Sequence, residues 1–322
     1  MAGIYIHVPF CKSRCAYCDF YSTTCGTLWM ERYVAALQRE MTVRRAEWHL
    51  PKANTLYLGG GTPSCLPVEL LQEILHAAAT LYPLTDDAEV TVEANPDDVT
   101  AQWLRAVGKT RVNRISMGVQ TFDDALLALL NRRHDSRQAI TAVDACQAEG
   151  LHNISLDLIY GLPGQTLAMW ERDVRQALSM PISHLSAYAL TFEEGTPLAR
   201  MRDNNKVAEA DEELSREMYQ RLCLLAAEGG MQHYEISNFA RPGCQSRHNS
   251  SYWQGEPYFG FGPGAHSYDG QRTRRWNLPD LKRYVASEET TRRFEENDTS
   301  FLTTCRTIVK SLRTTNFTTN TS

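Results

Sequence analysis

No run of apolar residues in this sequence approaches the ~20 that a helix needs to cross a bilayer. The first residues, Met-Ala-Gly-Ile-Tyr-Ile-His, have neither a basic n-region nor an apolar h-region. A basic excess is missing as well. Lys and Arg number 33 against 38 Asp and Glu, a net charge of −5, so nothing electrostatic draws the chain to nucleic acid. A second Cys-x-x-Cys pair is absent, and nine cysteines is an odd number, which argues against a closed disulfide framework. The expected location is the cytoplasm, where thiols stay reduced. What remains is ordinary globular composition, 43% hydrophobic and 22% charged over 322 residues. That length accommodates a barrel-sized domain with an appendage.

The cysteines are unevenly placed, four of the nine falling within the first 25 residues. Cys11, Cys15 and Cys18 form a C-x3-C-x2-C spacing, and soft thiolates suit zinc or iron–sulfur. A zinc site would need a fourth ligand, from Cys25 or His7. A four-iron cluster on three thiolates would leave one iron open to an outside ligand. Spacing alone leaves both readings standing.

Strand and helix patterns alternate about six times over the first ~190 residues. Strands are expected at Gly3 to Pro9, Asn54 to Leu58, Glu89 to Ala94, Arg114 to Val119, Asn153 to Tyr160 and His184 to Leu190. Helical stretches separate them, among them Trp29 to Trp48, with Tyr33, Leu37 and Met41 on one face. This order implies right-handed crossovers and a parallel sheet, with the ligand at the carboxyl ends of the strands. The cysteine loop, the run Gly59-Gly60-Gly61-Thr62-Pro63 and the residues Glu93, Gln120 and Asp157 all stand at such ends. A loop over Glu193 to Arg202, a helix over Glu209 to Glu228, a strand over Gln232 to Phe239 and a short helix over Leu278 to Ala286 follow. Between them lies a stretch dense in aromatics and glycine, from His248 to His266.

The cysteine loop after a first strand resembles the signature of radical S-adenosylmethionine (SAM) proteins. The resemblance implies an α/β fold, a partial (β/α)6 barrel, with Cys11, Cys15 and Cys18 holding a [4Fe–4S] cluster. It implies that SAM chelates the open iron and is cleaved by one electron to a 5′-deoxyadenosyl radical. It also places SAM against Tyr17, the GGTP-like Gly60, Gly61 and Thr62, and the strand-end residues Glu93, Gln120, Arg132 and Asp157, with Tyr5 as a further candidate. In that picture Arg132 pairs with the SAM carboxylate and Asp157 accepts from the ribose hydroxyls.

Further segments narrow the resemblance: IYIHVPFC at 4–11, LYLGGGTPS at 56–64, EANP at 93–96, SMGVQTF at 116–122, LNRRH at 130–134 and LDLIYGLPGQT at 156–166. Together they resemble the branch containing oxygen-independent coproporphyrinogen III dehydrogenases and the HemW-type heme chaperones. Phe20 stands where the dehydrogenases carry another cysteine, and the first strand begins without their N-terminal extension. Both features favour the chaperones, with porphyrinogen oxidation as the alternative activity. His248, Tyr252 and Trp253 match the HNxxYW motif that the resemblance associates with heme, and Cys244 and His266 are nearby alternatives for an iron ligand. Heme-accepting respiratory-chain proteins and bacterioferritin are the partners implied, with peripheral membrane contact, no nucleic acid, and a monomer or dimer.

The expected organisation is a radical SAM partial barrel over 1–192, a smaller α+β C-terminal region over 193–296 and a Thr-rich tail over 297–322. Family members continue into a helical C-terminal domain, so the tail reads as disordered, truncated or frame-shifted.

Overall fold

Period-two alternation along six strands builds the sheet. In the computed structural model, which describes residues 2–47, 49, 52–286 and the backbone of 291–295, these are β1 (Gly3–Val8), β2 (Ala53–Gly60), β3 (Leu84–Ala94), β4 (Arg114–Gln120), β5 (Ile154–Tyr160) and β6 (His184–Ala189). Each pairs in parallel with the next. Helices Thr27–Arg44, Val68–Leu81, Ala101–Val107, Ser136–Ala148 and Leu167–Ser179 form the crossovers. The Thr-rich tail and Trp48 lie outside the described residues.

An all-parallel sheet covered on both faces reads as continuous apolar runs. These strands do not. Ile4, Ile6, Leu58 and Val92 are fully buried in the apolar core shared with helix residues such as Leu37 and Ile74. The alternate positions carry Tyr5, His7, Tyr57, Glu93, Ser116 and Asp157, so they project from the opposite face. A sheet with one polar concave face and one helix-covered face is a partial barrel with a polar interior.

The chain beyond β6 extends the same sheet at both edges. β7 (Gln232–His233) and β8 (Asn238–Ala240) pair antiparallel, with β8 on β6. β9 (Tyr258–Phe261) adds in parallel to β1, and β10 (His266–Tyr268), β11 (Thr273–Asn277) and β12 (Thr291–Glu295) follow antiparallel.

Two local expectations change. Glu193 to Arg202, expected as a loop, runs from Pro197 onward into the helix Pro197–Asp203. Thr196 caps it by accepting from the Ala199 amide at 3.1 Å, and Pro197 occupies the first helical position, where its missing N–H is harmless. The strand expected over Gln232 to Phe239 is instead the β7–β8 hairpin. The aromatic stretch from His248, to which the sequence assigned no element, begins within the helix Arg247–Gln254. Its N-terminal amides are satisfied by Ser246 Oγ and by the Glu89 carboxylate, which accepts from the Arg247 and His248 amides at 3.0 Å each. With His248 bonded to Thr55 at the start of β2 and lying near Gly3 of β1, this helix plugs the interior at the amino ends of the strands. Among the described residues no helix is long and apolar enough to cross a membrane.

Candidate functional site

The loop after β1 is held as a rigid unit by its backbone. Cys11 donates its amide to the Thr23 carbonyl and Thr23 to that of Pro9, closing the neck at 2.9 and 2.7 Å. The Ala16 amide bonds the Leu130 carbonyl, and the Ala16 carbonyl accepts from the Leu198 amide. Lys12 reaches Asp98 at 2.5 Å, and Arg133 bonds the same carboxylate at 3.0 Å. Within this frame Cys11, Cys15 and Cys18 all line one cavity of about 480 Å³ at the carboxyl ends of the strands. Burial pushes the Cys11 thiol up and that of Cys18 up to about 11. Neither would ionise at neutral pH by itself; a bound iron deprotonates a coordinating thiol.

Gly60 and Gly61 bring β2 against this loop. Gly60 has φ +107°, and an added Cβ would lie 2.6 Å from the His7 ring. At Gly61 a Cβ would lie 2.6 Å from the Phe10 carbonyl oxygen. That close approach lets the amides of Gly61 and Thr62 bond the carbonyls of Val8 and Phe10. Thr62 Oγ1 stands 3.5 Å from Cys11 Sγ.

The strand-end side chains named from the sequence converge on the same cavity. Tyr17, Gly60, Gly61, Thr62, Glu93, Gln120, Arg132 and Asp157 all line it. Gln120 sits at φ +71°, uncommon for a non-glycine residue, as β4 ends. Arg132 donates to Cys15 Sγ at 3.0 Å and to Asn95 and the Gly118 carbonyl, while its buried Nε has no partner among the described residues. Burial raises Glu93 to about 7 and Asp157 to about 6, against hydrogen bonds that favour their ionised forms. Tyr57 donates to Glu93 at 2.8 Å, and the Gly60 amide to its other oxygen at 3.2 Å.

Two expectations part from this arrangement. Tyr5 does not line the strand-end cavity; its hydroxyl bonds His7 Nδ1 at 3.2 Å, and its ring faces a second cavity. His248 is 1% exposed, with Nδ1 on Thr55 Oγ1 and Nε2 on the Tyr252 hydroxyl, both at 2.8 Å, and burial lowers its pKa to about 3. In this arrangement neither ring nitrogen is open to an iron. Tyr252 lines the second cavity, and Trp253 lines neither.

Sequence reasoning missed Tyr57, Ser186 and Asn249 in the first cavity and the buried Arg114 beneath it. Arg114 Nε and Nη1 have no partner among the described residues, and its charge favours the ionised forms of Glu93 and Asp157. The signal was present: a polar residue at every second position of strands otherwise built of Val, Ile and Leu.

Among the described residues no three His, Cys, Asp or Glu side chains converge on a single metal ion. A multi-iron cluster takes one thiolate per iron and needs the three only around a common cavity, which is what they have. The unpartnered Arg132 Nε beside Cys15 adds a cationic donor for an anionic ligand there. The donor set therefore fits an iron–sulfur cluster with a carboxylate-bearing ligand.

Residues 5–177 match the family model of the radical SAM superfamily. The chain belongs to that superfamily. It is 40% identical over 286 residues to the heme chaperone HemW of Bacillus subtilis, covering 88% of this chain and 75% of that protein. It is 38% identical over 286 residues to HemW of Mycobacterium tuberculosis, covering 88% and 73%. These matches place it in the HemW branch of the radical SAM proteins. Among solved structures it is similar to coproporphyrinogen III oxidase (HemN) of Escherichia coli, with a TM-score of 0.78 at 23% identity over 89% of this chain and 68% of that one. That likeness concerns the fold. Radical SAM membership implies a [4Fe–4S] cluster and SAM.

The buried Glu93 makes stability pH-dependent. With its pKa about 7 in the folded chain against 4.5 for a free glutamate, the folded state holds the extra proton between those values. Its contribution is complete below about pH 4.5 and is lost as pH rises through 7. Glu93→Gln, which stays neutral, should flatten the decline in urea midpoint of the cluster-free chain between pH 5 and 8, a difference on the order of 3 kcal/mol. Parallel slopes for the two proteins would refute the assignment.

Proposed function

We propose that this chain is a heme chaperone, binding heme and passing it to heme proteins such as respiratory-chain acceptors. The observation carrying this reading is the 36–40% identity to HemW chaperones over most of both chains. In this reading Cys11, Cys15 and Cys18 hold a [4Fe–4S] cluster, which when bound supplies an electron to SAM. Arg132, through its unpartnered Nε, meets the SAM carboxylate. Gly60 and Gly61 offer backbone close enough for the amino group. Glu93 and Asp157 face the same space, and Asp157 accepts from the ribose hydroxyls. Tyr17 supplies an aromatic wall beside the loop.

The anaerobic, cluster-loaded chain should take up heme on titration, with a Soret band that shifts from free heme, and should release it to an apo heme protein. The porphyrinogen oxidoreductase reading predicts a different result: protoporphyrinogen IX formed from coproporphyrinogen III with SAM and reductant. That product would overturn the chaperone proposal. Phe20, 64% exposed in the loop where a dehydrogenase carries cysteine, supports the chaperone reading.

A further inference from the structure

The cluster loop is a partition. Asp19 and Phe20 line the strand-end cavity on one side and a second cavity of about 560 Å³ on the other. The volume falls in the range of sites that take a mid-sized organic ligand. Its walls are aromatic: Tyr5, Tyr21, Tyr252, Tyr258 and Trp276. Tyr252 packs edge-on against Tyr258 with ring centres 4.7 Å apart, so the wall is braced by the plug helix and β9 together. A large flat apolar ligand is the shape such walls accept.

Three histidines stand in or beside this cavity, and two are already committed. His7 Nε2 donates to the Tyr21 carbonyl at 2.9 Å and its Nδ1 takes the Tyr5 hydroxyl. His248 is saturated by Thr55 and Tyr252. His266 differs. Among the described residues its ring makes no hydrogen bond, and it is exposed at the cavity edge, lying nearly parallel to Trp276 with ring centres 5.9 Å apart. Partial desolvation of its cavity-facing side and the neighbouring Arg274 charge lower its pKa, favouring the neutral imidazole that binds metals. Its backbone is fixed: β10 pairs with β9 and β11, and a Cβ on Gly260 would lie 1.9 Å from the His266 carbonyl oxygen. A ligand on a rigid element and oriented by an aromatic neighbour is pre-organised.

We infer that the second cavity is the heme seat, with His266 as the axial iron ligand and Tyr252, Tyr258 and Trp276 as its apolar walls. The inference rests on the heme-carrying reading and deepens it. It places the cargo on the opposite side of the Phe20 loop from SAM. It also gives the HNxxYW helix a supporting part, bracing the wall through Tyr252, instead of the ligand itself.

The test is a heme titration of the full cluster-loaded chain, wild type against His266→Ala, with His76→Ala on an outer helix as control. Loss of groups that only support a metal ligand costs roughly 10–100-fold in affinity. His266→Ala should therefore weaken heme binding at least about tenfold and move the Soret band, and added imidazole should restore it. Iron-free protoporphyrin IX, followed by fluorescence quenching, should bind wild type and variant alike. A wild-type Soret band and affinity in His266→Ala would overturn the seat while leaving the chaperone reading intact. Parallel loss of protoporphyrin binding would assign His266 to the fold and likewise overturn it. A wild-type chain that binds no heme would instead refute the function proposed above.

Discussion

Cys15→Ala should lose its cluster outright, dropping from about four irons per chain to background after anaerobic reconstitution. Two thiolates cannot hold a cluster designed for three, and among the described residues no other cysteine lines the cavity. The loop itself should survive, because its neck and flanks are fixed by backbone bonds at Cys11, Ala16 and Thr23. Secondary structure measured by circular dichroism should therefore match wild type while the visible absorbance vanishes. Cys25→Ala provides the contrast. Its sulfur bonds Thr23 Oγ1 at 3.0 Å and lies outside the cavity lining, so that variant should keep its iron. Iron lost with Cys25, or kept without Cys15, would revive a four-ligand site including Cys25.

The second large effect concerns stability. Arg44→Met should destabilise the chain by about 3–5 kcal/mol, the cost of removing one partner of a buried ion pair. Arg44 is 3% exposed at the end of the first crossover helix. It bonds Glu40 at 2.9 Å, the Gly260 carbonyl at 2.7 Å and Ser267 at 3.0 Å, and stands over the rings of Phe259 and Phe261. Glu40 in turn accepts from the Gly262 amide, Asn277 and Tyr284. The pair thus fastens β9 and β10, and with them His266, to the barrel. Arg105→Ala, which breaks an exposed pair with Glu149, should cost no more than about 1 kcal/mol. Urea midpoints read both; equal effects would show that the buried network carries no special weight.

The parts of the site on the page of the sequence were those with local chemistry. The C-x3-C-x2-C loop, the glycine run and the carboxyl ends of β3 and β4 announce themselves by spacing and position, Asp157 stands at the middle of β5, and the structure gathers eight of the nine residues named for SAM around one cavity. Tyr5 failed to join them because it sits deeper on β1, facing the interior below the loop. Arg114 and Tyr57 went unnamed because both lie away from the strand ends where ligand-binding loops are expected, and only the sheet's curvature shows that alternate positions along whole strands share one interior. The heme motif sits differently from its sequence picture for a related reason. A histidine among aromatics reads as a ligand in sequence, yet the helix N-terminus, the Glu89 carboxylate and Thr55 turn it inward.

The sequence by itself determined the strand–helix order, the thiol triplet and the superfamily, because each depends on residues near one another along the chain. Tertiary structure alone decided which histidine is open, where the second cavity lies and what β9 to β11 pack against. Those depend on contacts such as His248 with Thr55 and Arg44 with Gly260, 193 and 216 residues apart. Local pattern carries no record of such pairings; burial and the competition for hydrogen-bond partners set them.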